Sequence, residues 1–153
     1  MSILSGLVVL TLAVLSAVTA DDVIGNGKCV TIMVDDLVMH ERKPDQQYPY
    51  YLYMITKDKE YNDQRWILES TGDGYFKLKN KHSNRYAVIG TFDYLLTADD
   101  AVRAMDHFKF VSDGAGKYDI VNKINQHPES QGKNLSVKKS AAAQHFTVQS
   151  CQE

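Results

Sequence analysis

The 153-residue chain holds only two cysteines, one tryptophan and three prolines, and its net charge is −2. So few cysteines exclude a disulfide-dense miniprotein and a multi-cysteine metal centre. The near-neutral balance lacks the basic excess that nucleic-acid binding demands. Only one long apolar run is present, residues 3–15, interrupted by Ser, Gly and Thr alone. It falls short of the roughly 20 residues a spanning helix needs, so no membrane insertion is expected. Residues 1–20 carry no ionisable side chain, end in Ala17-Val18-Thr19-Ala20, and give way to Asp21 and Asp22. This pattern predicts a signal peptide over 1–20 and a secreted, extracellular single domain over 21–153, expected to be a monomer.

Catalytic constellations are also missing. His40, His82, His107, His127 and His145 show no metal-ligand spacing, no G-x-S-x-G is present, and neither cysteine has a base near it in sequence. Glycines 72, 74, 114 and 116 sit between strand-like segments and do not lead into a helix, so they make no phosphate-cradling loop. The expectation is a non-enzymatic protein with no cofactor and no metal.

What the chain does have is short apolar-polar alternation. Strand signals run over 29–34, 66–68, 75–79, 86–89, 107–111, 118–121, 135–137 and 145–148. Helical periodicity is weak, with one turn at most expected within 98–105. The strands also repeat. Laying Gln64-Arg65-Trp66 over Asp106-His107-Phe108, an offset of 42, places Gly72 on Gly114, Gly74 on Gly116, Phe76 on Tyr118, Leu78 on Ile120 and Asn80 on Asn122. A third copy of the aromatic strand is Gln144-His145-Phe146, and a diverged first repeat starts near Lys28. Glycine at both turn positions suits tight hairpins that need positive φ. Three repeats of about four strands predict an all-β β-trefoil, a six-stranded barrel with a hairpin cap. Trp66, Phe108 and Phe146 are its expected equivalent core residues.

Gln64-Arg65-Trp66 resembles the Q-x-W element of ricin-B-type trefoil lectins, and Gln144-His145-Phe146 is similar. Residues 75–86 resemble the family's Y-x-I-x-N-x-x-S-G-x-x-L stretch, as do 118–123 reaching Asn134-Leu135-Ser136-Val137. Trp66 to Val88 is also similar to the C-terminal trefoil domain of the insect low-molecular-mass 30K haemolymph lipoproteins. The lectin resemblance implies glycan binding, with Gln64, Asn80 and Tyr86 as its residues. The family's sugar-binding Asp falls on Ala87 and Ser136, neither of them acidic. Asn80 and Asn122 also read as structural corners.

Two surface segments offer other sites. Lys77, Lys79, Lys81, His82 and Arg85 form a basic run, either a solvated strand face or an anionic-glycan site. Residues 43–53 contain Tyr48, Tyr50 and Tyr51 in what reads as an exposed loop, a platform for sugar or an extracellular protein. The alternatives to a glycan binder are a protein-binding trefoil, either protease inhibitor or cytokine-like ligand, and a storage or carrier protein. In a trefoil the first and last strands are neighbours, so Cys29 and Cys151 are expected to pair; free thiols or an intermolecular bridge are the alternatives. Asn134-Leu135-Ser136 is the one N-glycosylation sequon.

Overall fold

A computed structural model describes residues 23–42, 50–57, 62–138 and 144–152. The predicted signal peptide and Tyr48 lie outside the described residues. Among these, twelve strands form one continuous sheet: β1 (Cys29–Val34), β2 (Leu37–Glu41), β3 (Leu52–Thr56), β4 (Trp66–Ser70), β5 (Phe76–Asn80), β6 (Tyr86–Ile89), β7 (Leu95–Ala98), β8 (Phe108–Ser112), β9 (Lys117–Asn122), β10 (His127–Gln131), β11 (Asn134–Lys138) and β12 (His145–Ser150). Four of them, β2, β3, β7 and β10, carry no clear alternation and give no strand signal in the sequence. Pro128 sits inside β10, where its missing N–H is tolerated because β10 ends the strand order. The single turn expected within 98–105 is a 3₁₀ turn at Ala104–Asp106.

Antiparallel pairings β1–β4, β4–β5, β5–β8, β8–β9, β9–β12 and β12–β1 close a six-stranded barrel. Hairpins β2–β3, β6–β7 and β10–β11 form the cap. Each repeat therefore contributes barrel, cap, cap, barrel: β1–β4, β5–β8 and β9–β12. This is the β-trefoil. The glycine turns join one repeat to the next, and Gly72, Gly74, Gly114 and Gly116 all take φ of 78–86° there, a region closed to most side chains.

Trp66, Phe108 and Phe146 are buried to 1 % exposure or less. Two pair with the corner asparagines, Trp66 with Asn80 and Phe108 with Asn122. The Trp66 indole N–H donates to the Met39 carbonyl at 3.1 Å, tying the barrel to the cap. Leu52, Leu95 and Leu135, each 1 % exposed, pack under the cap. They too recur at about 40 residues, so the cap keeps the threefold pattern as well as the barrel.

Cys29 and Cys151 form a disulfide with their Cα atoms 5.4 Å apart, and the Cys151 N–H donates to the Cys29 carbonyl at 3.0 Å. The bridge seals the barrel where β1 meets β12.

Candidate functional site

The residue preceding each cap leucine is Tyr51, Tyr94 or Asn134, one per repeat. These three positions also make the seams of the cap. Tyr51 bridges Leu96, Tyr94 bridges Ser136, and Asn134 pairs with Tyr53, each reaching two residues past the equivalent position in the next repeat. This cyclic pattern sets the three residues around the pseudo-threefold axis. They line a depression of about 210 Å³ together with Tyr53. All three tyrosines are half-buried and Asn134 is exposed. Tyr51 meets Tyr53 and Tyr94 edge-on, at centroid distances of 6.4 and 6.3 Å, so the rings brace one another.

A second depression, of about 250 Å³, adjoins the first through Tyr53 and is lined by His40, Arg42, Tyr53, Ile55 and Lys133. The Arg42 guanidinium lies 5.4 Å from the Tyr53 ring centroid and its Nη1 donates to the Tyr53 hydroxyl at 3.3 Å. Burial holds His40 below the usual imidazole range, against the opposing pull of Asp63 and Glu41.

Tyr51, expected on a loop, forms the bridge that opens β3; Tyr50, its chain neighbour, lies under the Arg85 guanidinium at 4.2 Å. Gln64 is 1 % exposed and its amide donates to the Thr56 carbonyl at 3.0 Å. Asn80 is fully buried. Its amide donates to the Asp63 carbonyl at 2.9 Å and its oxygen accepts from the His82 and Ser83 N–H groups. Asn122 repeats that pattern with Met105, Ile124 and Gln126. Gln64 and Asn80 therefore hold repeat corners and present no polar group at the surface.

Tyr86 is half-buried, and its hydroxyl donates to Glu69 at 2.9 Å. Lys77 and Lys79 flank its ring at 5.6 Å each. Both cations carry a carboxylate partner, Lys77 with Asp100 at 2.9 Å and Lys79 with Glu69 at 3.3 Å, and Arg85 pairs with Asp99. Lys81 and His82 stand exposed at the rim. The basic run is thus a salt-laced face with most of its charge neutralised locally. The matching of Ser136 to Ala87 is corrected by register: Ala87 lies on β6, the first cap strand, and Ser136 on β11, the second. The counterpart of Ala87 is Pro128, because the Arg85 and Gln126 carbonyls accept the equivalent bonds from Asn80 and Asn122. Tyr94, Arg42 and Lys133 line these depressions without being marked by the motifs, whereas Tyr53 falls in the tyrosine-rich segment 43–53. The signal for Tyr94 is the Tyr51-Leu52, Tyr94-Leu95, Asn134-Leu135 recurrence, hidden by that misregistration.

No protein-family model matches the sequence. The erythema protein SVEP of Simulium vittatum is 60 % identical over all 153 residues, covering 100 % of both chains. The chain belongs to the family of this erythema protein. Three solved structures show where the erythema-protein family stands in fold space. The designed threefold-symmetric protein ThreeFoil superposes with a TM-score of 0.67 at 16 % identity, over 78 % of this chain and 96 % of its own. SeviL, solved with asialo-GM1 saccharide bound, gives 0.65 at 13 %, over 83 % and 100 %. A salivary protein of Culex quinquefasciatus gives 0.66 at 14 %, over 82 % and 94 %. At these identities the likeness is one of fold alone, the β-trefoil.

Proposed function

We propose that the chain is a secreted, non-enzymatic carbohydrate-binding module whose saccharide site is the axial tyrosine pocket. The observation that carries this reading is the convergence of Tyr51, Tyr53 and Tyr94 around an open depression with the Asn134 amide on its rim. Aromatic faces take the apolar C–H side of a sugar ring, and an amide serves its hydroxyls as donor and acceptor. The volume, about 210 Å³, is below the roughly 300 Å³ at which drug-sized pockets begin, and it suits a single sugar ring. A trefoil neighbour carrying a bound saccharide supports the reading. The disulfide, the salivary fold neighbour and the erythema-protein relative support export.

A glycan array on glycosidase-treated protein tests it. Binding is expected, with Tyr51→Ala and Tyr94→Ala each weakening it at least about tenfold while Tyr86→Ala leaves it unchanged. Loss with Tyr86→Ala alone moves the site to the β5–β6 face, and an array with no bound glycan refutes the reading. One feature favours a protein-binding trefoil instead: Phe92, 86 % exposed at the tip of the β6–β7 hairpin. A protein partner captured by the native chain and lost with Phe92→Asn, in the absence of any glycan signal, selects that alternative.

A further inference from the structure

We propose that the saccharide is bound through two linked sugar rings, the first in the axial tyrosine pocket and the second in the depression lined by His40, Arg42, Tyr53, Ile55 and Lys133. The ligand unit is then a disaccharide. This rests on the reading of the axial pocket as a sugar site.

The two depressions follow one strand. Tyr53 on β3 is paired in register with His40 on β2 and with Asn134 on β11. Residues paired across antiparallel strands share a face of the sheet, and so do residues two apart on one strand. Met39, Leu52, Met54 and Leu135 take the other face and are buried in the core. Tyr51, Tyr53 and Ile55 therefore stand in a row on the outer face of the cap, over about 13 Å at the rise of a strand. All three are half-buried. Tyr51 and Tyr53 line the first depression, and Tyr53 and Ile55 line the second. The second depression repeats the chemistry of the first. Tyr53 and Ile55 give it an apolar wall. Polar side chains reach it from both flanking strands, His40 and Arg42 from the β2 side and Lys133 from the turn before β11. Guanidinium and ammonium groups donate and an imidazole donates or accepts, so ring hydroxyls find partners on either edge. Its volume of about 250 Å³ is close to the 210 Å³ of the first, again the size for one ring. The shared wall is held in place: the Tyr53 ring meets Tyr51 edge-on at 6.4 Å, and Arg42 Nη1 donates to its hydroxyl at 3.3 Å. The Met54 N–H donates to the Lys133 carbonyl at 2.8 Å, which fixes β3 against the turn that carries Lys133. Two linked rings gain the second set of contacts without a second loss of translational freedom, so a disaccharide gains over either ring alone.

Titrations on glycosidase-treated protein compare galactose with lactose, glucose with maltose and cellobiose, and N-acetylglucosamine with chitobiose. The terminal disaccharide of each glycan bound on the array is added, with its two monosaccharides. At least one disaccharide is expected to bind about tenfold or more tighter than either of its own monosaccharides. Ile55→Trp, which fills the second depression, should bring that disaccharide to within about twofold of its monosaccharide and leave monosaccharide binding unchanged. An independent readout on the native chain is the intermolecular NOE between protons of one ring of the disaccharide and the Ile55 methyl groups, which is expected and which decides the matter if Ile55→Trp fails to fold. Disaccharides that bind no tighter than their monosaccharides overturn the two-ring assignment while the single-ring pocket stands. So does a gain that survives Ile55→Trp, or the absence of an NOE to Ile55. No saccharide binding at all overturns both readings.

Discussion

Asn134 combines two properties at one position. It opens the Asn134-Leu135-Ser136 sequon, and its side chain lines the axial pocket. Its place on β11 is no barrier to modification if the transferase meets the chain while it is still unfolded. The expected outcome for protein exported through a eukaryotic secretory pathway is a glycan on Asn134, read as a loss of mass on glycosidase treatment; an unchanged mass refutes it. An attached glycan stands over the tyrosines, so the treated protein should bind added saccharide more tightly than the untreated. Other residue roles are half legible in the sequence. Asn80 and Asn122 recur at a fixed offset, and the structure gives both the same corner bonds. Whether a repeated asparagine turns inward to the backbone or outward to a ligand is not written in the spacing, because both uses repeat equally well.

The β6–β7 hairpin turns on Phe92 and Asp93, with φ of 60° and 63°. Both residues are left-handed within the three-residue loop 91–93 that the Gly90 N–H to Tyr94 carbonyl bond closes, a conformation that Asn or Gly usually supplies. An L-residue with a bulky side chain loses roughly 1–2 kcal/mol in that region. Phe92 recovers little by packing, being 86 % exposed. Phe92→Asn is therefore expected to stabilise the protein by about 0.5–1 kcal/mol, measured as a raised urea midpoint at unchanged m-value. A lower midpoint shows that the ring makes contacts that offset the strain. Strands with clean alternation, such as Phe76–Asn80 and Lys117–Asn122, are legible from sequence. Leu37–Glu41 and Leu95–Ala98 are not, since residues on both strand faces are buried or half-buried in the cap and the polar alternation disappears.

At the scale of the whole molecule the disulfide is the largest single constraint, closing a loop with a sequence separation of 122. The chain-entropy model gives roughly 4–5 kcal/mol for a loop of that length. Cys29→Ser with Cys151→Ser should lower the unfolding free energy by about that amount in urea titrations. A loss under about 1 kcal/mol instead shows that the unfolded chain already keeps its ends together. The sequence by itself determined the repeat, the all-β class and the aromatic core, because burial leaves a periodic trace in residue type. It also raised the expectation that the two cysteines pair, once three repeats implied a closed barrel, and the structure bears that expectation out. Only the tertiary structure decided where a ligand can sit. Gln64 and Asn80 carry lectin-like letters but spend their hydrogen bonds on the backbone. Tyr51, Tyr94 and Asn134 lie about 40 residues apart and become neighbours only when three cap hairpins close around one axis. A pocket of that kind depends on how strands from separate repeats pair, and no local stretch of sequence records that pairing.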